Sequence, residues 1–348
     1  MMSLAEFKGK MRIGAWPDDY DGEQPLEFLW CFPLNAKPED MWFYLADTSR
    51  FNREMNFAKR SMKEENGRNV VTTTMMGVHQ QWIEEPWTWI AGQTVSMNRI
   101  YLKGMAKYVR GIFHVEPRPD SGKCHVYIYF GWFPKNPLWK LWLQVTENIV
   151  KNKMRTVFEK VVKFLELAPP KIEKREALKV PISTIPVEGS DKLKRIREQL
   201  TEKGLKADVI DHLIRHVESG DEMELDRLKI IPLAKRWNIS KRDLLITCLH
   251  ATRLGMFNLS WDVICPHCRG TRLEAKSLGD LPGAFDCDVC RIDFKTDRTD
   301  SIEVTFHVQP SVRKIEAVSY CAAEPTKKEH IRVQQNVEAG SQVTVSAI

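Results

Sequence analysis

With 348 residues, 43% of them hydrophobic and 28% charged, the chain has the composition of a globular protein and the length of two or three domains. Its net charge of +6 is spread out, with 23 Lys+Arg against 19 Asp+Glu in residues 1–167, unlike the concentrated basic face of a dedicated nucleic-acid binder. No secretory signal opens the sequence and no run of 18 apolar residues occurs in it, so a cytoplasmic chain without a transmembrane segment is expected.

Residues 1–24 read as an N-terminal extension. In the stretch 25–167, "LEFLWCFPL" (26–34) predicts an opening strand and "AKPEDMWFYLADTSRFNREM" short helical pieces. Period-two and apolar runs divided by turn signals follow, with "ENGR" as one hairpin turn. Between residues 138 and 165, Leu138, Trp142, Val145, Ile149, Met154, Val157, Val161 and Phe164 recur mostly at three- and four-residue steps. That spacing predicts a long amphipathic helix with this face inward.

A strand, small helices, several antiparallel strands and one long terminal helix is the order of the helix-grip fold. On that order and size, the segment resembles the START-related polyketide-cyclase and lipid-transfer superfamily (SRPBCC). The resemblance implies an α+β domain whose antiparallel sheet wraps a long C-terminal helix around an apolar cavity. Nine of the eleven tryptophans fall before residue 143. They either fill a core or line a pocket, since large rigid aromatics serve both purposes. Trp82, Trp87, Trp89, Trp132, Trp139 and Trp142 are the pocket candidates, with His79 as a polar contact, and the expected partner is a small hydrophobic or amphipathic ligand.

Residues 168–191, rich in proline, read as a linker. Residues 192–262 are predicted helical, and their second half has the grammar of a helix-turn-helix: one helix ends at Trp237, "NIS" turns, and Ser240 with Asp243 forms a capping box. A winged-helix DNA reader needs polar and basic residues along its groove-facing helix. Here Leu244, Leu245, Ile246, Cys248 and Leu249 dominate, which favours a structural or partner-docking unit over nucleic-acid binding.

Residues 263–296 carry two Cys-x-x-Cys pairs with 18 residues between them, the spacing of a four-cysteine zinc ribbon. Two intervening residues let one tight turn aim both thiolates at one ion, and the second pair completes the tetrahedron. Four thiolates leave no coordination position for water, so Cys265, Cys268, Cys287 and Cys290 are expected to form a structural zinc site. Rubredoxin-like iron would use the same ligands. Residues 297–348 read as β-rich, and the last of them break off inside a strand pattern as if the chain were cut.

The strings "RLKIIPLAKRW", "LLITCLHATRLGMFNLSWDVICPHCRG", "FDCDVCRIDF", "SIEVTFHVQPSVR" and "EHIRVQQ" lie in order between Leu225 and Gln335. This run resembles the uncharacterised N-terminal region of bacterial class III adenylate/guanylate cyclases. The resemblance implies a regulatory half, preceded by a START-like segment and followed by a downstream cyclase domain. Within 1–348 there is neither a cyclase catalytic set nor a Gly-rich phosphate loop, so no catalytic residue is assigned. The expectation is a sensor that binds its ligand in the helix-grip cavity and signals to a cyclase domain or a partner protein, alone or as a dimer. The alternatives are a stand-alone hydrophobic-ligand binder, a protein-interaction module, a cavity that itself catalyses, and a DNA-binding regulator.

Overall fold

In the computed structural model the described residues are 1–20, 22–65, 68–75, 77–119, 122–167, 177–178, 185–267, 269–287, 292–296, 300–315, 325, 330–337 and 339–345. They form two compact units, one of residues 1–179 with 319–348, the other of residues 180–318.

The N-terminal residues of the first unit are more than an extension. Helix α1 (Leu4–Lys10) opens on a capping box in which Ser3 accepts from the Glu6 backbone and Glu6 accepts from the Ser3 backbone. Its Phe7 is fully buried against Ile112, Tyr127 and Tyr129. Strand β1 (Leu26–Leu34) has the predicted bounds. Helices α2 (Pro38–Ala46) and α3 (Thr48–Glu54) follow, then strands β2 (Ser61–Glu65), β3 (Arg68–Met75), β4 (Val78–Glu84), β5 (Thr88–Ile90), β6 (Thr94–Lys103), β7 (Ala106–Pro117) and β8 (Cys124–Pro134). The turn residues of "ENGR", Asn66 and Gly67, lie outside the described residues, but β2 and β3 pair antiparallel up to Glu65–Arg68.

The sheet runs β1-β8-β7-β6-β4-β3-β2, with its neighbouring strands antiparallel. Register shifts in the β4–β6 and β6-proximal end of the β7–β8 pairings break the ladder, and such irregularities increase the twist and bend of a sheet. Strand alternation divides its two faces. Along β8, Val126, Ile128 and Phe130 face the core shared with the long helix α4 (Pro137–Leu167), while Tyr127 and Tyr129 face α1. This is the helix-grip arrangement, an α+β fold with one long helix held against a curved antiparallel sheet.

The predicted inward face of α4 holds only in its second half. Met154, Val157, Phe158 and Val161 are buried against β1, α3 and β8, whereas Leu138, Leu141, Val145 and Ile149 are exposed. Periodicity finds an apolar stripe but not the point at which the neighbour it packs on ends. In the first half the covered side is a different one, marked by buried Leu143.

The second unit begins with α5 (Val187–Glu202), so the segment read as linker turns helical five residues early. Then come α6 (Ala207–Ser219), α7 (Glu222–Leu225), β9 (Leu228–Lys229), α8 (Ile230–Trp237) and α9 (Lys241–Arg253). Asn238 takes the left-handed conformation at φ 53° to end α8, and the Ser240 hydroxyl accepts from the Asp243 backbone to open α9. Leu244, Thr247, Cys248 and Ala251 turn α9 inward. Strands β10 (Phe257–Ile264), β11 (Thr271–Ala275) and β14 (Ile302–Val308) make a sheet in the order β11-β10-β14-β9, and β12 (Ala284–Cys287) pairs with β13 (Ile292–Lys295).

The final segment is less β-rich than its alternation suggests. Its second described strand, β15 (Val333–Gln334), is two residues long, and residues 341–345 form no strand. β15 pairs with β5 and so extends the first unit's sheet. Ala91 donates its backbone N–H to Arg332, the Trp89 indole donates to the Ile331 carbonyl at 3.0 Å, and the Gln334 amide donates to the Trp87 carbonyl at 2.7 Å.

Burial lowers the pKa of His114 to about 4, with Lys10 adding to the effect, while its Nδ1 pairs with the Thr94 hydroxyl at 2.7 Å. The folded state therefore holds His114 neutral, whereas the unfolded chain binds a proton below about pH 6.5. Stability from this site is complete above that pH and falls as pH drops towards 4, by roughly 3 kcal/mol in all. Thermal melts between pH 4 and 7 should show this slope, and His114→Gln should flatten it.

Candidate ligand-binding cavity

Between α3, the first half of α4 and the inner face of the sheet lies a cavity of about 440 Å³, within the range of small-molecule sites. Its apolar lining comes from Phe28, Trp30, Met97, Met105, Phe113 and Phe130 among others. Of the residues singled out in the sequence, Trp82, Trp87, Trp132 and Trp142 line this space. Three do not. Trp89 is buried beside Trp87 and Val95, with its indole tied to Ile331. Trp139 packs edge-on to Trp142 at 5.9 Å, outside the lining. His79 is exposed on the opposite face of β4, because strand alternation puts Gln80, Trp82 and Glu84 inward instead.

The polar part of the cavity wall was not legible as a site. Glu84 and Arg99, each over nine-tenths buried, form an ion pair with both carboxylate oxygens within 3.2 Å of Arg99 Nε. The same carboxylate accepts from the Trp82 indole at 2.6 Å and from the Trp87 indole at 2.8 Å. Arg99 and Arg60 stand over the Trp82 ring at 5.1 and 5.6 Å from its centre, and Tyr101 stacks on it at 5.4 Å. Glu84 thus holds two indoles and a guanidinium in one orientation, which fixes the wall's shape. Trp30, not among the pocket candidates, also lines the cavity and donates its indole N–H to Glu147 at 3.2 Å. Taking Trp82 as inward and stepping by two along "VHQQWIE" would have found Gln80 and Glu84.

Of the four expected metal ligands, Cys265 and Cys287 are described and buried, at the ends of β10 and β12. Cys268 and Cys290 lie outside the described residues. After Cys265 the chain folds into a tight turn: the Cys265 backbone N–H bonds the Gly270 carbonyl, the Arg269 N–H bonds the Cys265 carbonyl, and Arg269 is left-handed at φ 58°. A buried thiol at the mouth of such a turn suits thiolate ligation of zinc. Among the described residues no group of three or more His, Cys, Asp or Glu side chains gathers as a metal site. Among the described residues no helix is long and apolar enough to cross a membrane.

The model of a family described as "Family of unknown function (DUF5939)" matches residues 192–335. No curated protein matches the chain. Among solved structures, the chain is similar to the ZhuI aromatase/cyclase from Streptomyces sp. R1128, at 12% identity over 40% of this chain and 96% of that one, with a TM-score of 0.32. It is also similar to the di-domain ARO/CYC StfQ of the steffimycin biosynthetic pathway, at 8% identity, 47% and 55% coverage and a TM-score of 0.33. A third similar structure is DR_A0006 from Deinococcus radiodurans, at 13% identity, 41% and 100% coverage and a TM-score of 0.29.

Proposed function

We propose that the first unit is a binding module for a small apolar or amphipathic ligand, and that the chain is a regulatory region signalling occupancy to a downstream cyclase domain or partner protein. The observation that carries the binding module is the cavity of about 440 Å³ with its aromatic and methionine lining. Among the described residues the lining carboxylate is Glu147, which accepts from the Trp30 indole, while Glu84 beside the wall is committed to two indoles and Arg99.

A signalling role needs a second state that the ligand disfavours or favours. The β5–β15 pairing supplies an element suited to it. Trp87 lines the cavity with its ring and accepts from Gln334 at its carbonyl, so a ligand that moves the ring bears on the docked terminal segment. The output to a cyclase rests on the sequence resemblance of residues 225–335. A four-cysteine structural zinc site at Cys265, Cys268, Cys287 and Cys290 completes the reading, with burial of Cys265 and Cys287 in its support.

Nile red titrated into the full-length chain should bind stoichiometrically with a blue-shifted emission, and decanol should displace it. Thr146, whose hydroxyl bonds the Trp142 carbonyl on the cavity side of α4, is the place to block the space. Thr146→Trp should reduce probe affinity by about a hundredfold or more, about 2.7 kcal/mol, with the melting temperature retained. Absence of binding to the native chain, or unchanged binding in the variant, would remove the binding module from the account.

A further inference from the structure

The solvent face of α4 near its start is apolar. Leu138, Leu141, Val145 and Ile149 are 78%, 60%, 67% and 50% exposed, and their three- and four-residue steps set them on one side of the helix. At 1.5 Å per residue the row is about 17 Å long. Packing within the first unit does not use it, because Leu143, on the opposite side, is what this half of the helix buries. A contiguous row of large apolar side chains left in water marks a surface that a partner covers.

Lysines flank the row. Between residues 135 and 152 the chain carries Lys135, Lys140 and Lys151 against one carboxylate, Glu147, which accepts from the Trp30 indole on the sheet side of the helix. A second copy of α4 on this face would bring lysine towards lysine, whereas anionic headgroups complement the lysines along the whole row. Ile149 also lines the cavity, beside Trp142 and Thr146. The hydrocarbon edge of a bilayer laid against the row therefore adjoins the cavity wall, which gives an apolar ligand a route that does not cross water.

We propose that this face of α4 docks on an anionic membrane surface. Leu138, Leu141, Val145 and Ile149 would dip into the boundary between headgroups and acyl chains, and Lys135, Lys140 and Lys151 would reach the headgroups. The helix lies along the surface and does not span it. Docking requires the row and its lysines, not a filled cavity.

The test uses the full-length chain with vesicles of phosphatidylcholine containing about one third phosphatidylglycerol, beside vesicles of phosphatidylcholine alone. Co-sedimentation should show the chain binding the anionic vesicles at least about tenfold more tightly than the neutral ones. Leu141→Ser with Val145→Ser changes exposed positions, should keep the native melting temperature, and should weaken that binding by about tenfold or more. Lys140→Gln with Lys151→Gln serves as the second variant and should weaken it by about tenfold or more as well, with binding to neutral vesicles unchanged. If the native chain stays in the supernatant with both vesicles, binds both equally, or binds as before in either folded variant, the membrane assignment falls. If the native chain is a dimer in sedimentation velocity and Leu141→Ser with Val145→Ser makes it a monomer, a second copy covers the row and the assignment falls too. The cavity is judged separately by Nile red, which needs no vesicles.

Discussion

Cys265→Ser is expected to release about one zinc ion per chain and to unfold the second unit while leaving the first intact. In the proposed ribbon the four thiolates form a closed shell, and their apparent binding free energy, on the order of 10 kcal/mol, is folding free energy for the elements they join. Cys265 directly follows β10, the strand that bridges β11 and β14, and Cys287 is the last residue of β12, which pairs with β13. Loss of the ion would therefore free the hairpin and the central strand of that sheet together. Metal content by chelator titration, and amide exchange over residues 257–308, read the two effects. Nine of the eleven tryptophans lie before residue 143, so the fluorescence melt reports mainly on the first unit and should stay cooperative. A variant that lost no metal, or that lost metal and kept native protection over residues 257–308, would contradict the structural assignment.

The second large effect is expected at Glu84. Replacing it with glutamine removes the carboxylate charge that pairs with buried Arg99, and turns one acceptor oxygen into a donor facing two indole N–H groups and a guanidinium. Breaking one side of a buried pair typically costs about 3–5 kcal/mol, a large share of the stability of one domain. Denaturant unfolding followed by tryptophan emission should show the loss. Glu65→Gln, at an exposed position on the neighbouring β2–β3 hairpin, should stay within about 0.5 kcal/mol of the native chain. Probe binding should weaken in Glu84→Gln as well, because the carboxylate orients Trp82 and Trp87 in the cavity wall. A Glu84→Gln chain as stable as Glu65→Gln would mean that the ion pair is not what holds the wall.

Both predictions join features of different legibility. The paired Cys-x-x-Cys spacing is a purely local pattern and needs no fold to be seen. Glu84 is invisible as a site in the sequence, because a carboxylate in a strand ordinarily faces water and only the register of β4 against β6 brings Arg99 beside it. Gln80 and His79 differ by one step along that strand, and a one-residue change of parity exchanges core for solvent.

The sequence by itself determined the elements whose signals are local. Those are the strand 26–34, the long helix after Pro137, the Asn238 stop and Ser240 start between α8 and α9, and an inner surface rich in tryptophan. Only the tertiary structure decided which tryptophans meet around open space, which half of α4 is covered, where Phe7 docks, and that β15 closes on β5 some 240 residues earlier. The physical reason is common to all four. Periodicity and capping depend on neighbours within a few residues, whereas burial of a given face depends on which distant strand or helix arrives against it, and that is settled by packing the whole chain at once.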